Sequence, residues 1–354
     1  MRFNRIYLAV IFVVFSILYF WKSFLFLHGM LDAWALWNVK GKIYALNFLE
    51  GYPFQFVINH ISHPGYPLVI PLDLAFFSIL TGTWSFSIPI FYNYFHFLLY
   101  FYLIYRYSIN QDWNGKIIPI LLIFAAFFAP GMLLIITDQC ADFPIGCHLA
   151  FLFFLIFEIK ANNIKPLKGF YFAGLCLGII LNSKMEGAII LPIMLPYFLY
   201  YLRSYITKLS LFSILMGLIF YIFFFLVYKL NAPELNPVPV NFQHVFNSLI
   251  SWERYFNVLK YFFLLHAFVF FIIFILIGYF IKQKINLELF LPLALLHLAY
   301  SGIFIITSSD QAWHLETAYT RIHLQLFPAF SLIGVYLLFG DKEQAQSLKS
   351  SENA

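Results

Sequence analysis

Five polar stretches interrupt an otherwise apolar chain, and each holds residue types that can do chemistry. The longest runs from Gly29 to Pro71. It sets Asp32 among aromatic residues (Trp34, Trp37), adds Lys40 and Lys42, and closes on the turn His63-Pro64-Gly65-Tyr66-Pro67. The others are Thr137–Asp142 (TDQCAD), Asn182–Glu186 (NSKME), Leu230–Asn257 and Ser308–Arg321 (SSDQAWHLETAYTR). A carboxylate held among aromatics stays ionised yet poorly solvated, which suits a general base. Asp32 also precedes AWALWNVKGKIYAL, a run with helical apolar spacing, where an Asp caps the first turn. Spacing leaves both roles open.

Lys40 lies two turns beyond Asp32, about 12 Å along a helix. An ammonium there either meets a phosphate as a point charge or snorkels to headgroups. Trp34 and Trp37 suit interfacial anchors or stacking on a sugar ring. His63 either bonds a nearby carbonyl or serves a metal or a phosphate. Asp142 sits in Ala141-Asp142-Phe143-Pro144, where Pro in a first turn is ordinary and an acid suits the helix dipole. Asp138, four residues earlier, is placed to share its site. Lys184 and Glu186 are two apart and do not face each other on one helix. Each then needs another partner, which implies a network. Arg321 opens the last apolar run, where it either clamps a lipid phosphate or anchors the helix at the interface.

These residues need a frame, and the composition says which. The chain is 62% hydrophobic and 10% charged, with a mean hydropathy of +0.84. Soluble domains carry roughly 45–50% apolar and about 25% charged residues, so a soluble globule is excluded. Repeated apolar runs of about 20 residues predict an all-α, polytopic transmembrane bundle. The 47 phenylalanines fit a lipid-facing surface. Cys140, Cys147 and Cys176 form neither a CxxC nor a zinc pattern. No internal repeat is evident. The tail 341–354 has a disordered composition.

Residues 6–26 are too long an apolar run for a signal peptide and are followed by no small-residue cleavage site. They predict a retained first span with a cytoplasmic N-terminus. A long first outer loop, 27–87, follows, with interfacial helices and an interfacial or re-entrant hairpin over 67–82. Further spans are expected over 88–105, 117–136, 143–157, 170–182, 188–202, 209–228, 261–281, 287–306 and 322–339, about ten in all. This arrangement puts Arg2, Arg5, Arg106, Lys116, Lys160, Lys165, Lys168, Arg203, Lys208, Lys282, Lys284 and Lys342 inside, as the positive-inside rule asks. Counting 67–82 as a full span puts most of them outside. All five polar stretches then fall on the outer side, where convergence on one site is expected. The expected division is 1–229 as a catalytic module, 230–340 as an outer loop with C-terminal helices, and the tail.

In order, the chain reads Asp32-Ala-Trp-Ala-Leu-Trp-Asn-Val-Lys40, His63-Pro-Gly-Tyr-Pro-Leu, Ala141-Asp-Phe-Pro144, Lys184-Met-Glu-Gly187 and Arg321-Ile-His-Leu-Gln-Leu-Phe-Pro328. This resembles the bacterial C-type glycosyltransferases related to protein O-mannosyltransferases and aminoarabinose transferases. The first motif is the most specific; the others persuade by their order. The resemblance implies an inner-membrane enzyme that moves a hexosyl or pentosyl unit from a polyprenyl-phosphate donor to a lipid, glycan or protein acceptor on the outer face, usually with inversion. It implies no nucleic-acid partner. It maps the essential acid of the first outer loop onto Asp32 and the second acidic position onto Asp142, with Asp138 a weaker match. Lys40, His63, Lys184, Glu186, Arg321, Trp34 and Trp37 become substrate-binding candidates. No cofactor is fixed by the resemblance; Asp138, Asp142 and His63 are the candidate ligands for a divalent metal. The chain departs from the family in having no paired acidic DxD and no soluble domain after the last span. The competing reading is a transporter or flippase of a lipid-linked sugar, against which the absence of repeats counts. A non-catalytic membrane assembly protein leaves the one-sided acidic motifs unexplained.

Overall fold

The computed structural model describes residues 2–51, 67–109, 123, 130–231, 242–265, 275–279, 281–282, 287–308 and 310–352. Among the described residues all regular structure is helical. Six helices are long and apolar enough to cross a membrane: Ile6–Leu25, Ser87–Ser108, Asp142–Lys160, Pro166–Ser183, Leu287–Ile306 and Gln311–Phe339. Each contains most or all of an expected span, but the last begins at Gln311, eleven residues before the expected 322. Val69–Thr81, Gly187–Tyr201 and Lys208–Phe223 are shorter apolar helices. The expected spans 117–136 and 261–281 lie in large part outside the described residues, as does His63.

Two expectations differ from the structure. Residues 69–81 form one continuous helix rather than a hairpin. At about 1.5 Å per residue it is some 20 Å long, short of the roughly 30 Å hydrocarbon core. The last helix runs from Phe327 to Glu352, through the segment whose composition predicts disorder.

The chain forms two compact units that interleave along the sequence. One unit comprises Ile17–Leu98 and Leu134–Pro239. It begins with the second half of α1 (Arg2–Leu25). A π-helical segment, Ala33–Asn38, then leads into α2 (Val39–Glu50). Next come α3 (Val69–Thr81) and the start of α4 (Ser87–Ser108). Tyr44, Ala45, Leu68 and Ala75 make the small core that joins α2 to α3. The Tyr19 hydroxyl donates to Ile90 O at 2.5 Å, which ties α1 to α4.

The rest of this unit is the second half of α5 (Pro130–Thr137), α6 (Asp142–Lys160), α7 (Pro166–Ser183), α8 (Gly187–Tyr201) and α9 (Lys208–Asn231). α6 is the central helix, almost wholly buried. α7 packs on α9 by direct backbone approach. A Cβ at Gly174 would strike the carbonyl of Ile214 and stand 3.1 Å from Gly217 Cα. Small residues permit this kind of close helix crossing.

The unit has two distinct ends. At one end, His28 meets Phe86 edge-on at 4.3 Å, Met30 N–H donates to Asp138 O, and Lys184 reaches Asp142. The end of α1, the starts of α4, α6 and α8, and the ends of α5 and α7 therefore gather there. At the other end, the Lys160 ammonium lies 3.6 Å from the centre of the Tyr201 ring. The Tyr205 hydroxyl donates to Lys160 O there, and Ser213 Oγ to Leu167 O.

The second unit comprises Met1–Ser16, Leu99–Leu133 and Val240–Ala354. It contains α10 (Phe242–Leu249), α11 (Trp252–Leu265) and α12 (Leu291–Ile306). A capped turn, Gln311–His314, and a π-helical segment, Leu315–Tyr319, lead to α13 (Thr320–Leu324) and α14 (Phe327–Glu352). Asp310 accepts from Trp313 N–H at 2.8 Å and so starts that helical run. Tyr100 and Ser331 share a 2.5 Å hydrogen bond that holds α4 to α14.

Candidate functional site

The first unit carries a buried charged cluster at the end where α6, α7 and α8 meet. Asp142 is the first residue of α6 and is 1% exposed. Its Oδ1 lies 2.8 Å from Lys184 Nζ, and Glu186 Oε1 lies 3.3 Å from the same nitrogen. The expectation that Lys184 and Glu186 cannot face each other assumed a helix. The backbone of Lys184 is extended (φ −158, ψ 159), so α7 stops there and both neighbours come within reach. Glu186 Oε2 is buried with no hydrogen-bond partner among the described residues. The next helix starts at once because Gly187 fits against the carbonyl of Ile180, where a Cβ would clash.

The segment carrying Asp32 is fastened to the loop that leads into this cluster. Asn38 Nδ2 donates to Gln139 Oε1 at 2.8 Å and to His28 O at 3.1 Å. Gln139 Nε2 returns donors to Phe26 O and Leu27 O. Gln139 adopts a left-handed backbone (φ 58), a conformation that costs a non-glycine residue and marks a fixed turn. Gly29 is also left-handed (φ +70), and a Cβ there would stand 2.7 Å from Asp138 O. Glycine is therefore required where the two loops touch.

Asp32 is half-buried just ahead of the π-helical segment, and its side chain makes no cap hydrogen bond. The cap position ahead of Asp142 is held by Ala141, and Asp142 itself lies in the first turn of α6, where an acid suits the helix dipole. A side-chain cap is thus not how Asp32 is used. Lys40 is fully buried, which corrects the snorkelling option, and burial pulls its ammonium down to about 8. Trp37 is 1% exposed and belongs to the core, so it offers no face for stacking or anchoring, whereas Trp34 is 51% exposed. Asp138 is buried and interacts electrostatically with Lys22.

Arg321 belongs to the second unit, where its Nε donates to Thr317 O at 3.2 Å. Among the described residues, no three His, Cys, Asp or Glu side chains are grouped to hold a metal. Sequence reasoning passed over Asn38 and Gln139, although both lie inside the motifs it singled out. It also passed over a histidine pair in the second unit. There His297 and His323 stand Nδ1 to Nδ1 at 2.7 Å, beside the rings of Tyr300, Phe304 and Tyr319.

Searches for relatives return no matching family model, no matching curated protein and no matching solved structure. Fold and site together define a class: a helical protein with several bilayer-length apolar helices and a buried carboxylate–ammonium–carboxylate cluster at one end of a helical unit.

Proposed function

We propose that this chain is an integral-membrane glycosyltransferase that takes its sugar from a polyprenyl-phosphate donor and works on the extracytoplasmic face. One observation supports this reading most directly. The Asp142–Lys184–Glu186 cluster and the docked Asp32 segment sit at one end of their unit, and Lys160 sits at the other. Lys165, Lys168, Arg203 and Lys208 fall in the loops and helix ends on the Lys160 side. The positive-inside rule then assigns the basic end to the cytoplasm and the carboxylates to the outside.

In the proposed reaction an acceptor hydroxyl oxygen attacks the anomeric carbon as its proton passes to the Asp32 carboxylate. The bond from that carbon to the phosphate oxygen breaks, and polyprenyl phosphate leaves with the electron pair. Inversion follows from this single displacement. Lys40 contributes positive charge toward the departing phosphate. Arg321 enters this scheme through its sequence motif alone. Lys184 holds Asp142 and Glu186 side by side, and Asp142 orients the acceptor hydroxyls.

The test uses purified protein in proteoliposomes with a radiolabelled polyprenyl-phosphate sugar. Transfer of label to a water-soluble or lipid acceptor, lost in Asp32→Asn, supports the proposal. Movement of the intact donor between leaflets without transfer would instead establish the flippase reading. Cysteine labelling supplies the topology. Leu31→Cys should react from outside and Asn163→Cys only from inside, and the reverse pattern would remove the proposed site from the outer face.

A further inference from the structure

The second unit carries two helices whose outward faces are more apolar than their sequence position between spans would require. α10 and the start of α11 expose Phe242, Phe246, Leu249, Ile250, Trp252 and Phe256, with Phe242 at 84% and Trp252 at 85% exposure. The other side of the same segment is polar. Glu253, Arg254 and Asn257 line a groove there together with Asp310 and Gln311. Apolar and polar residues are thus segregated onto two faces, the pattern of a helix lying in a membrane interface.

The attachment of this segment fixes its level. Arg254 Nη1 donates to Ile305 O at 2.8 Å and to Thr307 O at 2.9 Å. His244 Nε2–H donates to Thr307 O at 2.9 Å, and Gln311 Nε2 donates to Phe304 O and to Arg254 O. Phe304 O, Ile305 O and Thr307 O are carbonyls at the C-terminal end of α12, which a helix end leaves without internal partners. The apolar helix Leu287–Ile306 is long enough to cross a bilayer, so its end lies at a bilayer surface. Leu291, Leu295, Leu298 and Ile306 recur at helical spacing along it and are exposed. That strip leads to the point where α10 and α11 are pinned. The exposed apolar residues of α10 thus lie where the exposed strip of a bilayer-length helix ends, and this proximity favours lipid as their occupant over a protein partner.

We propose that α10 and the first turns of α11 lie in the plane of the bilayer surface, with Phe242, Phe246, Leu249 and Trp252 seated among lipid headgroups and upper acyl chains. The polar groove of Glu253, Arg254 and Asn257 then faces water. Phe and Trp side chains on such helices sit about 5–10 Å into the headgroup boundary. The inference rests on the membrane reading of the chain and not on its chemistry.

The test places a bimane label at Phe246→Cys or, separately, at Glu253→Cys, after Cys140, Cys147 and Cys176 have been replaced by Ser. Each protein is reconstituted into phosphatidylcholine vesicles carrying a doxyl group at acyl carbon 5 or carbon 12. The label at 246 should be quenched at least about two-fold more by the shallow doxyl than by the deep one. The label at 253 should be quenched by aqueous iodide and by neither lipid. Leu249→Cys repeats the measurement if Phe246→Cys does not fold. Three outcomes at 246 would overturn the proposal: iodide quenching, which puts the face in water; no quenching from either side, which means that protein covers it; and strongest quenching by carbon 12, which makes the segment part of a span. Because no step requires sugar transfer, failure here leaves the glycosyltransferase reading standing, and failure of that reading leaves this one standing.

Discussion

Lys184 stands 2.8 Å from Asp142, although 42 residues of chain separate them. The contact closes one end of the α6–α7 hairpin and draws in Glu186 from the start of α8. Three ionisable groups therefore share one buried site, with two negative charges set against one positive. Such an arrangement is costly to desolvate and is worth keeping where a charge has a task. The unequal geometry sets the order of importance. Asp142 is the closer and more deeply buried partner, and Glu186 the more exposed one.

Removing the cation should therefore cost far more than removing Glu186. Lys184→Met takes away the cation 2.8 Å from the buried Asp142 carboxylate, a change worth about 3–5 kcal/mol. Glu186→Gln leaves the tighter pair intact and should cost about 0–1 kcal/mol. The combined variant Asp142→Asn, Lys184→Met, Glu186→Gln should recover most of the stability lost in Lys184→Met alone. Thermal or denaturant unfolding in detergent micelles reads all three. Equal destabilisation by Lys184→Met and Glu186→Gln would mean that the cluster does not work as an Asp142–Lys184 pair with an accessory acid.

The close crossing of α7 and α9 gives a prediction free of charge effects. A Cβ at Gly174 would meet the Ile214 carbonyl, and one at Gly217 would meet Tyr171 O and stand 2.8 Å from Leu175 N. Gly174→Ala should destabilise by about 1–3 kcal/mol, the usual cost of overpacking. Gly217→Ala should do the same. The double variant should cost less than the sum, because one outward shift of the helices relieves both clashes. Strict additivity would show that the helices do not pack across these two glycines.

Much of this frame is legible in the sequence, because apolar run length and the placement of Lys and Arg are local signals. Six of the expected spans fall within helices of bilayer length, although the last of these starts at Gln311 and not at 322. Asp142, Lys184 and Glu186 were marked by their types, and the network was expected from the spacing of the last two. Their partners were not legible. The extended residue at Lys184 depends on how α7 and α8 pack, and a rule for one continuous helix cannot supply it. Trp34 and Trp37 look alike in sequence, yet one is exposed and the other is core, because the face of a π-helical segment is set by tertiary contacts. Asn38 and Gln139 were passed over for a similar reason: a neutral amide carries no charge signal, and its value lies in bridging two loops far apart in the chain.

Lys40 predicts a pH dependence of stability. Its ammonium titrates near 10.5 when exposed, and burial lowers this to about 8 in the folded chain. Between those values the unfolded chain binds more protons than the folded one, so stability rises with pH across that window. Below about 8 the full cost of burying the charge is present; a shift of this size corresponds to about 3 kcal/mol at most. Lys40→Met has no proton to lose and should flatten the rise. Lys40→Arg keeps its charge throughout and should also flatten it, but from a lower stability. Unfolding midpoints of the three proteins from pH 7 to pH 10.5 decide the point. An unchanged slope in Lys40→Met would assign the rise to other groups.

Asp32 offers the sharpest test of the proposed chemistry, because its two readings differ in what a substitution does. A capping Asp contributes about 0.5–2 kcal/mol, and Asn caps about as well. The Asp32 side chain makes no cap hydrogen bond, so Asp32→Asn removes no cap and should keep the fold. A general base is another matter. Asn cannot accept a proton, and loss of such a base lowers the rate by about 10²–10⁴-fold. The variant should bind the polyprenyl-phosphate donor as wild type does and transfer almost no sugar. Asn38→Leu supplies the positional control. It keeps the Asp32 carboxylate but removes the 2.8 Å bond to Gln139 that docks its segment. Its transfer rate should fall less than that of Asp32→Asn and should recover in Asn38→Gln if the longer amide still spans the gap. Donor binding and single-turnover transfer, measured on the same four preparations, separate these effects. Transfer by Asp32→Asn within a few-fold of wild type would remove Asp32 as the base and leave Glu186, whose Oε2 is buried without a hydrogen-bond partner among the described residues, as the group to examine next.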